Sequence, residues 1–144
     1  ELVALDDLLA RSNYVTLHTP STPETIRMIN KESIAKMQPG SVVINTARGS
    51  LINEADLVAA LKSGHLRGAG LDVFEVVPLP ADSPLLGLKN VLLSGHTAGL
   101  DNESHDGMFR MAAEAIIGLH RGDWWDLECI RNLDGVTDWK WDRS

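Results

Sequence analysis

The sequence is poor in the features that mark secreted, membrane-bound and nucleic-acid-binding proteins. Its 144 residues include a single cysteine, Cys129, which excludes an internal disulfide. No apolar run approaches the roughly 20 residues that a membrane-spanning helix needs. Lys and Arg number 13 against 20 Asp and Glu, and a formal net charge of -7 argues against a phosphate-rich partner. We therefore expect no membrane and no nucleic-acid partner.

The amino terminus also lacks the pattern of a signal peptide. Residues 1–10 show no basic segment followed by an apolar one, so we expect a cytoplasmic protein. The chain does not begin with Met, which favours a processed or truncated piece. The composition, 44% hydrophobic and 23% charged, is ordinary for a single folded domain.

The patterns that are present alternate between helix and strand. Helical spacing or capping residues predict helices, and short β-branched or apolar runs predict strands. Helices are predicted over residues 2–10, 31–37, 54–63 and 103–120, and strands over residues 13–18, 41–45, 68–74 and 90–93. Apolar strands separated by helices predict an α/β fold with a doubly wound parallel sheet.

Polar residues follow each predicted strand, at the end where ligands bind in open parallel sheets. They are His18, Arg48, Asp72 and His96. Crossovers of one hand bring such residues to one side of the sheet. There a guanidinium can hold a carboxylate substrate, a carboxylate can bind a carboxamide, and an imidazole can transfer a proton.

Each of these residues also has a structural interpretation. Arg48 can pair with a surface acid, Asp72 can cap a loop, and His96 can be structural, as most lone histidines are. No metal is predicted, because the histidines lack Cys or carboxylate partners at ligand spacing. The histidines with the weakest signal are His18, His65, His105 and His120.

Four segments form an ordered set of motifs across nearly all of residues 1–122. They are Leu17-His18-Thr19-Pro20, Val43-Ile44-Asn45-Thr46-Ala47-Arg48-Gly49, Gly70-Leu71-Asp72-Val73-Phe74-Glu75, and Asn90-Val91-Leu92 leading to His96 and Gly99. The set resembles the D-isomer-specific 2-hydroxyacid dehydrogenases, the group that includes phosphoglycerate dehydrogenase. The resemblance implies a Rossmann-like fold of which this chain is the later part.

The resemblance also divides the chain. Residues 1–102 would be the second half of the NAD-binding domain, residues 103–121 a connecting helix, and residues 122–144 a tail that packs on the substrate domain. The glycine-rich turn that cradles the pyrophosphate belongs to the family's earlier half. No Gly-x-Gly-x-x-Gly occurs here. We therefore expect half a cofactor site, inactive by itself.

The resemblance assigns catalytic and cofactor-binding roles. Arg48 would hold the substrate's carboxylate and carbonyl oxygen, Asp72 would orient the nicotinamide carboxamide, and His96 would be the acid and base. The cofactor would be NAD, with NADP left open, and the substrate a small 2-hydroxy or 2-keto acid. The other residues expected to contact the cofactor are His18, Pro20, Thr46, Ala47, Ala98 and Gly99.

One departure from the family pattern leaves a second function open. The family commonly has a Glu that pairs with the catalytic His at the position of Val77, before Pro78. Glu75 is two residues away and is a possible substitute, and Gly95 stands where a Pro usually precedes the His. The alternative is therefore a catalytically weakened NAD-binding protein that works by association, like the family's corepressor relatives.

Two further expectations concern association. Family members are usually two-fold dimers, so a homodimer is expected. The tail is crowded with tryptophans, and we expect it to pack against the substrate domain or, alternatively, to act as a lid or partner contact. The four are Trp124, Trp125, Trp139 and Trp141.

Overall fold

A computed structural model describes residues 1–122 of the chain. These residues divide into two compact units, Glu1–Ala98 and a second unit that begins at Gly99. The first unit contains strands β1 (Tyr14–Leu17), β2 (Ser41–Asn45), β3 (Leu66–Leu71) and β4 (Val91–Leu93) and helices α1 (Leu5–Arg11), α2 (Lys31–Lys36) and α3 (Glu54–Ser63). Short 3-10 turns lie at Gly49–Leu51 and Pro84–Gly87. Helix α4 (Asn102–Arg121) lies in the second unit.

Helix α3 begins and ends at the residues that the sequence indicates, and α2 begins where predicted and ends one residue earlier. The Asn30 side chain accepts a hydrogen bond from the Ser33 amide at 3.1 Å, while Ser33 Oγ accepts one from the Asn30 amide at 2.8 Å. This reciprocal pair satisfies main-chain donors that the first helical turn leaves free. Asn53 caps α3 by accepting from the Asp56 amide, and Gly64 ends it in the left-handed region with φ +77°.

The four described strands form one parallel sheet in the order β1-β2-β3-β4. Each strand therefore pairs with the next one along the chain, and a helix or loop returns the chain to the same end of the sheet. Val43, at the centre of β2, lies opposite Val15 of β1 and Ala69 of β3. The predicted α/β, Rossmann-like fold is confirmed.

The two faces of this sheet differ in burial. One face packs against α1, α2 and α3, and its side chains belong to a continuous apolar core. The core residues of this face include Val15, Leu17, Val43, Ala69 and Leu71, and helix residues packed on them include Leu9, Ile34, Leu57 and Leu61. The opposite face carries Tyr14 and Leu92, which are 62% and 80% exposed.

Two predicted elements have a boundary that is wrong by more than one residue. The third strand is predicted over residues 68–74, but β3 begins at Leu66 and ends at Leu71. It ends there because the Asp72 carboxylate bonds to the chain beyond β4 and the main chain at Phe74 packs on Gly49. The first helix begins at Leu5 and not at residue 2, where Leu2 is fully exposed and no side chain caps the preceding turn.

The long helix predicted over residues 103–120 is confirmed as α4. Asp101 caps it by accepting from the Ser104 amide at 2.8 Å, and Gly122 ends it with φ +87°. Within residues 1–122, no helix combines the length and apolarity needed to cross a membrane. The tryptophan-rich tail lies outside the described residues.

Candidate active site

The carboxyl ends of β2, β3 and β4 are joined by main-chain hydrogen bonds. The Asp72 amide donates to the Asn45 carbonyl at 3.0 Å, and the Ser94 amide donates to the Leu71 carbonyl at 3.0 Å. These bonds place three segments side by side: the Arg48 turn (residues 46–52), Asp72, and the His96 segment (residues 94–98). Arg48, Asp72 and His96 therefore follow adjacent strands at one end of the sheet, as the parallel order requires.

Asp72 is a buried carboxylate that binds the His96 segment. Its side chain is 2% exposed. Oδ1 accepts from Ser94 Oγ at 2.6 Å and from the Thr97 amide at 2.9 Å, and Oδ2 accepts from the Ala98 amide at 2.9 Å. A carboxylate in such a place is stable because these donors replace the water that it has lost.

These contacts determine the charge state of Asp72. Burial by itself raises the pKa of the Asp72 carboxyl, since it disfavours the charged form. The hydrogen bonds that the carboxylate accepts and the nearby charge of His96 act in the opposite direction and outweigh burial. The pKa of Asp72 is therefore lower than that of an ordinary aspartate, and the group is an anion at neutral pH.

The Arg48 turn is held from inside by Asn45. Asn45 Nδ2 donates to the Arg48 carbonyl at 2.9 Å, and Oδ1 accepts from the Ala47 amide at 3.1 Å. The Arg48 guanidinium is exposed and donates to the Ala47 carbonyl at 2.7 Å. Asn45 has no role among the sequence predictions. The only local signal for one is an amide side chain at the end of an apolar strand.

Gly49 allows the Arg48 turn to approach the chain that follows β3. A Cβ atom at this position would collide with the carbonyl of Phe74 and the amide of Glu75. No other residue fits there without moving one of the two segments. The turn after β2 and the turn after β3 are consequently in direct main-chain contact.

His96 lies on an exposed segment in an unusual backbone conformation. Its φ of +60° is in the left-handed region that non-glycine residues seldom adopt. The imidazole is exposed, whereas residues on both sides of it are bound to Asp72. Such strain persists only where neighbouring contacts enforce it, and it is frequent at functional sites.

Glu75, the possible substitute partner for His96, is engaged elsewhere. Glu75 Oε1 accepts from Arg27 Nε at 3.0 Å and from Arg27 Nη2 at 2.8 Å. The Glu75 amide also bonds to the Glu54 side chain at the start of α3. Val77 is 72% exposed. Glu75 therefore serves to fix the chain after β3.

The predicted cofactor residues are brought together only in part. A cavity of about 230 Å³ at this end of the sheet is lined by Thr46, Asp72 and Ala98, with Gly70 and Leu92 on the exposed sheet face. His18 follows β1 and bonds back to Thr16 Oγ1 at 2.9 Å, and the Pro20 carbonyl accepts from Thr25 Oγ1 at 2.8 Å.

Several predicted residues lie outside the wall of this cavity in the described part of the chain. They are His18, Pro20, Ala47, Arg48 and His96. Gly99 begins the second unit and is described with it. A larger open cavity of about 540 Å³ between α2 and α3 is lined by Lys31, Asp56 and His65, and it contains none of the predicted site residues. Residues 1–122 contain no group of three His, Cys, Asp or Glu placed to bind a metal.

Comparison with known proteins gives a consistent result. Residues 1–98 match the family described as D-isomer specific 2-hydroxyacid dehydrogenase, NAD binding domain. A glyoxylate reductase from Korarchaeum cryptofilum is 44% identical over 123 residues, which are 85% of this chain and 37% of that protein. A D-3-phosphoglycerate dehydrogenase from Mycobacterium bovis is 45% identical over 116 residues, 81% of this chain and 22% of that protein.

A solved structure agrees with these relatives. It is a D-isomer specific 2-hydroxyacid dehydrogenase from Xanthobacter autotrophicus Py2 in complex with NADPH and MES. It is 49% identical with a TM-score of 0.63, and the match covers 64% of this chain and 30% of that one. The chain thus spans between a fifth and two fifths of the length of these relatives.

Proposed function

This chain belongs to the D-isomer-specific 2-hydroxyacid dehydrogenase family through its NAD-binding domain, and on that premise we propose that it supplies the nicotinamide half of a dehydrogenase site. The reaction is hydride transfer between NAD(P)H and a small 2-keto acid, giving a D-2-hydroxy acid, or its reverse. One observation carries the proposal: the Arg48 turn, Asp72 and the His96 segment are hydrogen-bonded side by side at one end of the sheet.

The chain's own residues supply the polar chemistry. The exposed Arg48 guanidinium binds the substrate carboxylate and polarises the carbonyl oxygen, because it offers paired donors to such oxygens. His96 donates a proton to the carbonyl oxygen during reduction and accepts it during oxidation. When bound, the nicotinamide supplies or accepts the hydride.

The nicotinamide end of the cofactor fits the residues present. Three donors occupy Asp72, and a carboxylate has about four acceptor sites, so roughly one remains for a carboxamide. Thr46 and Ala98 line the same cavity, and Gly70 adds no side chain to it. The remaining contacts to the cofactor are assigned by the same proposal to His18, Pro20, Ala47 and Gly99.

The pyrophosphate end does not find its usual turn in this sequence. The 12 glycines of the sequence include no Gly-x-Gly-x-x-Gly. Gly68 and Gly70 both lie within β3 and not at the start of a helix. We therefore propose that the chain alone is inactive and needs the first half of the nucleotide domain. In this assignment residues 1–102 belong to that domain, residues 103–121 connect, and residues 122–144 pack on a substrate domain.

Two other elements of the proposal concern association and location. The preference of soluble oligomers for two-fold symmetry, together with the family membership, supports a homodimer. A single cysteine in these 144 residues, which leaves no internal disulfide to form, supports a reducing, cytoplasmic location.

A second candidate function is supported by Val77. It occupies the position where the family commonly has a Glu, and Glu75 is bound to Arg27 and α3. Within residues 1–122, no carboxylate forms an ion pair with the His96 imidazole. A protein that binds NAD(P)H but transfers hydride poorly, and acts by association, is consistent with that loss.

A hybrid enzyme tests the two functions. This chain replaces the matching segment of the Korarchaeum cryptofilum glyoxylate reductase, so that the reductase supplies the missing half. We expect the hybrid to oxidise NADH with glyoxylate or another 2-keto acid, and Arg48→Ala and His96→Ala to abolish this. The unaltered reductase controls for the assay, and the 144-residue chain alone should show no turnover.

The two functions give different results in this experiment. A hybrid that quenches NADH fluorescence on binding but consumes none with any 2-keto acid contradicts the dehydrogenase and supports the binding protein. A hybrid that folds but binds neither NADH nor NADPH contradicts both.

A further inference from the structure

We propose that Asn45 is a positioning residue that fixes the Arg48 turn and connects it, through Asp72, to the His96 segment. The inference rests on the proposed function for the roles of Arg48 and His96. It goes further because it assigns a role in substrate binding to Asn45, which is buried.

The Asn45 side chain lies where an apolar residue would be expected. It is 1% exposed, and the register places it between Leu17 of β1 and Leu71 of β3, on the face covered by helices. A buried amide is unfavourable unless its donor and acceptor are both paired. Both are paired, and both partners are in the Arg48 turn.

The chemistry of the contact requires an amide. Asn45 donates to the Arg48 carbonyl and accepts from the Ala47 amide, so one side chain closes the turn from both sides. Ala has neither group, and a charged Asp can accept but cannot donate. An Asp at this position would direct a second oxygen toward the Arg48 carbonyl.

A continuous series of hydrogen bonds leads from the turn to His96. The Asn45 carbonyl accepts from the Asp72 amide at 3.0 Å. The Asp72 carboxylate then accepts from Thr97 and Ala98, the two residues that follow His96, at 2.9 Å each. The relative position of the Arg48 turn and the His96 segment is therefore set by two buried polar residues, Asn45 and Asp72, which are joined by a main-chain hydrogen bond.

Amide hydrogen exchange in the 144-residue chain tests this arrangement directly. We expect the Ala47 and Asp72 amides of the unaltered chain to be protected, and Asn45→Ala to speed exchange at Ala47 about tenfold or more, with a smaller rise at Asp72. Asn90→Ala is the matched control. Asn90 also donates to a main-chain carbonyl, that of Leu61 at 3.4 Å, but at the opposite end of the sheet.

Kinetics of the hybrid enzyme separate positioning from simple stability. Asn45→Ala should raise KM for the 2-keto acid about tenfold, because the guanidinium is displaced. KM for NADH should rise by less, because Thr46 and Ala47 are only two of the residues assigned to the cofactor. Asn45→Asp should have the same effect on KM while Ala47 stays protected, since the acceptor is retained. A merely structural residue would lower the active fraction, and so kcat, with both KM values unchanged.

The outcomes decide the inference without depending on one variant. An Ala47 amide that exchanges in the unaltered chain as fast as an exposed amide overturns it, as does an Asn45→Asp hybrid with unchanged KM for the 2-keto acid. If Asn45→Ala does not fold, the unaltered chain and Asn45→Asp still give these two results. A hybrid without any turnover counts against the proposed function, whereas exchange at Ala47 and Asp72 still tests the role of Asn45.

Discussion

The Arg48 turn and the His96 segment lie side by side, but they are held in different ways. The Arg48 turn is fixed from several directions: Gly49 packs on the main chain at Phe74, and the Ser50 carbonyl accepts from the Arg27 amide at 2.8 Å. Leu51 and Ile52 anchor it in the core. The His96 segment is exposed. Within residues 1–122, every hydrogen bond that it makes with the side chain of another segment is donated to Asp72.

Because of this difference, the two segments should respond differently to a single substitution. The Arg48 turn is part of the folded core, so its geometry follows from folding itself. The His96 segment includes a residue in a left-handed conformation, which costs about 1–3 kcal/mol and must be offset by its attachments. Because one carboxylate supplies those attachments, a change at Asp72 should release His96 and leave Arg48 in place.

The largest loss of stability is expected from a substitution in the Arg48 turn. Gly49→Ala should lower the free energy of unfolding by about 3 kcal/mol, because the new methyl group collides with the Phe74 carbonyl and the main chain must move. Urea unfolding measures the loss. The matched control is Gly95→Ala in the His96 segment, where an added Cβ meets no atom within 4 Å. Equal losses for the two variants would show that the turns do not differ as described.

Asp72→Asn should cause the next largest loss of stability, and the change in structure should be confined to the His96 segment. It replaces a charged acceptor of three hydrogen bonds by a neutral amide, so we expect a loss of about 2 kcal/mol and faster amide exchange at Thr97 and Ala98. Exchange at Ala47 should not change. Asp101→Asn, which alters another carboxylate that accepts from a main-chain amide, is the control. Faster exchange in both segments would contradict their separate attachment.

Acid should reproduce this release without a mutation. The pKa of Asp72 is lower in the folded chain than in the unfolded chain, so its contribution to stability is present above the unfolded value. It is lost as the pH falls through the folded value, which lies below the ordinary aspartate value of about 4. An NMR titration from neutral pH into strong acid should show the Thr97 and Ala98 amide signals shifting before those of the Arg48 turn. Asp72→Asn should remove this early transition.

Features that depend on neighbouring residues could be predicted from the sequence. The capping residues of α2 and α3 and the parallel sheet follow from local signals, because Asn30, Asn53 and Gly64 act within their own helices. The placement of Arg48, Asp72 and His96 at one end of the sheet follows from strand order. These predictions need no knowledge of distant contacts.

The attachments of the site could not be predicted in the same way. Asp72 finds its partners 22 to 26 residues away, and Glu75 pairs with Arg27 at a separation of 48 residues. Such pairings depend on how distant segments pack together, which no local sequence pattern indicates. The end of β3 is predicted too late for the same reason. Residues 70–74 are mostly apolar and so resemble a strand, but the strand ends at Leu71 and Asp72 binds these distant partners.

The smallest effect on stability is expected at Val77. The side chain is 72% exposed, so Val77→Glu should change the free energy of unfolding by no more than about 0.5 kcal/mol. Its effect on the proposed reaction should be larger, because a carboxylate beside an imidazole favours the protonated form that donates to the carbonyl oxygen. The Val77→Glu hybrid should therefore reduce 2-keto acids up to a higher pH than the unaltered hybrid.

The neighbouring residue provides the control for this change. Val76 is 59% exposed, so Val76→Glu adds the same charge one residue away with little cost to stability. A pH profile that moves only in Val77→Glu means that the His96 segment gains a second attachment, to the chain after β3, and becomes more like the Arg48 turn. Profiles that move equally in both variants would mean that added negative charge acts at long range and that Val77 does not mark a lost partner of His96.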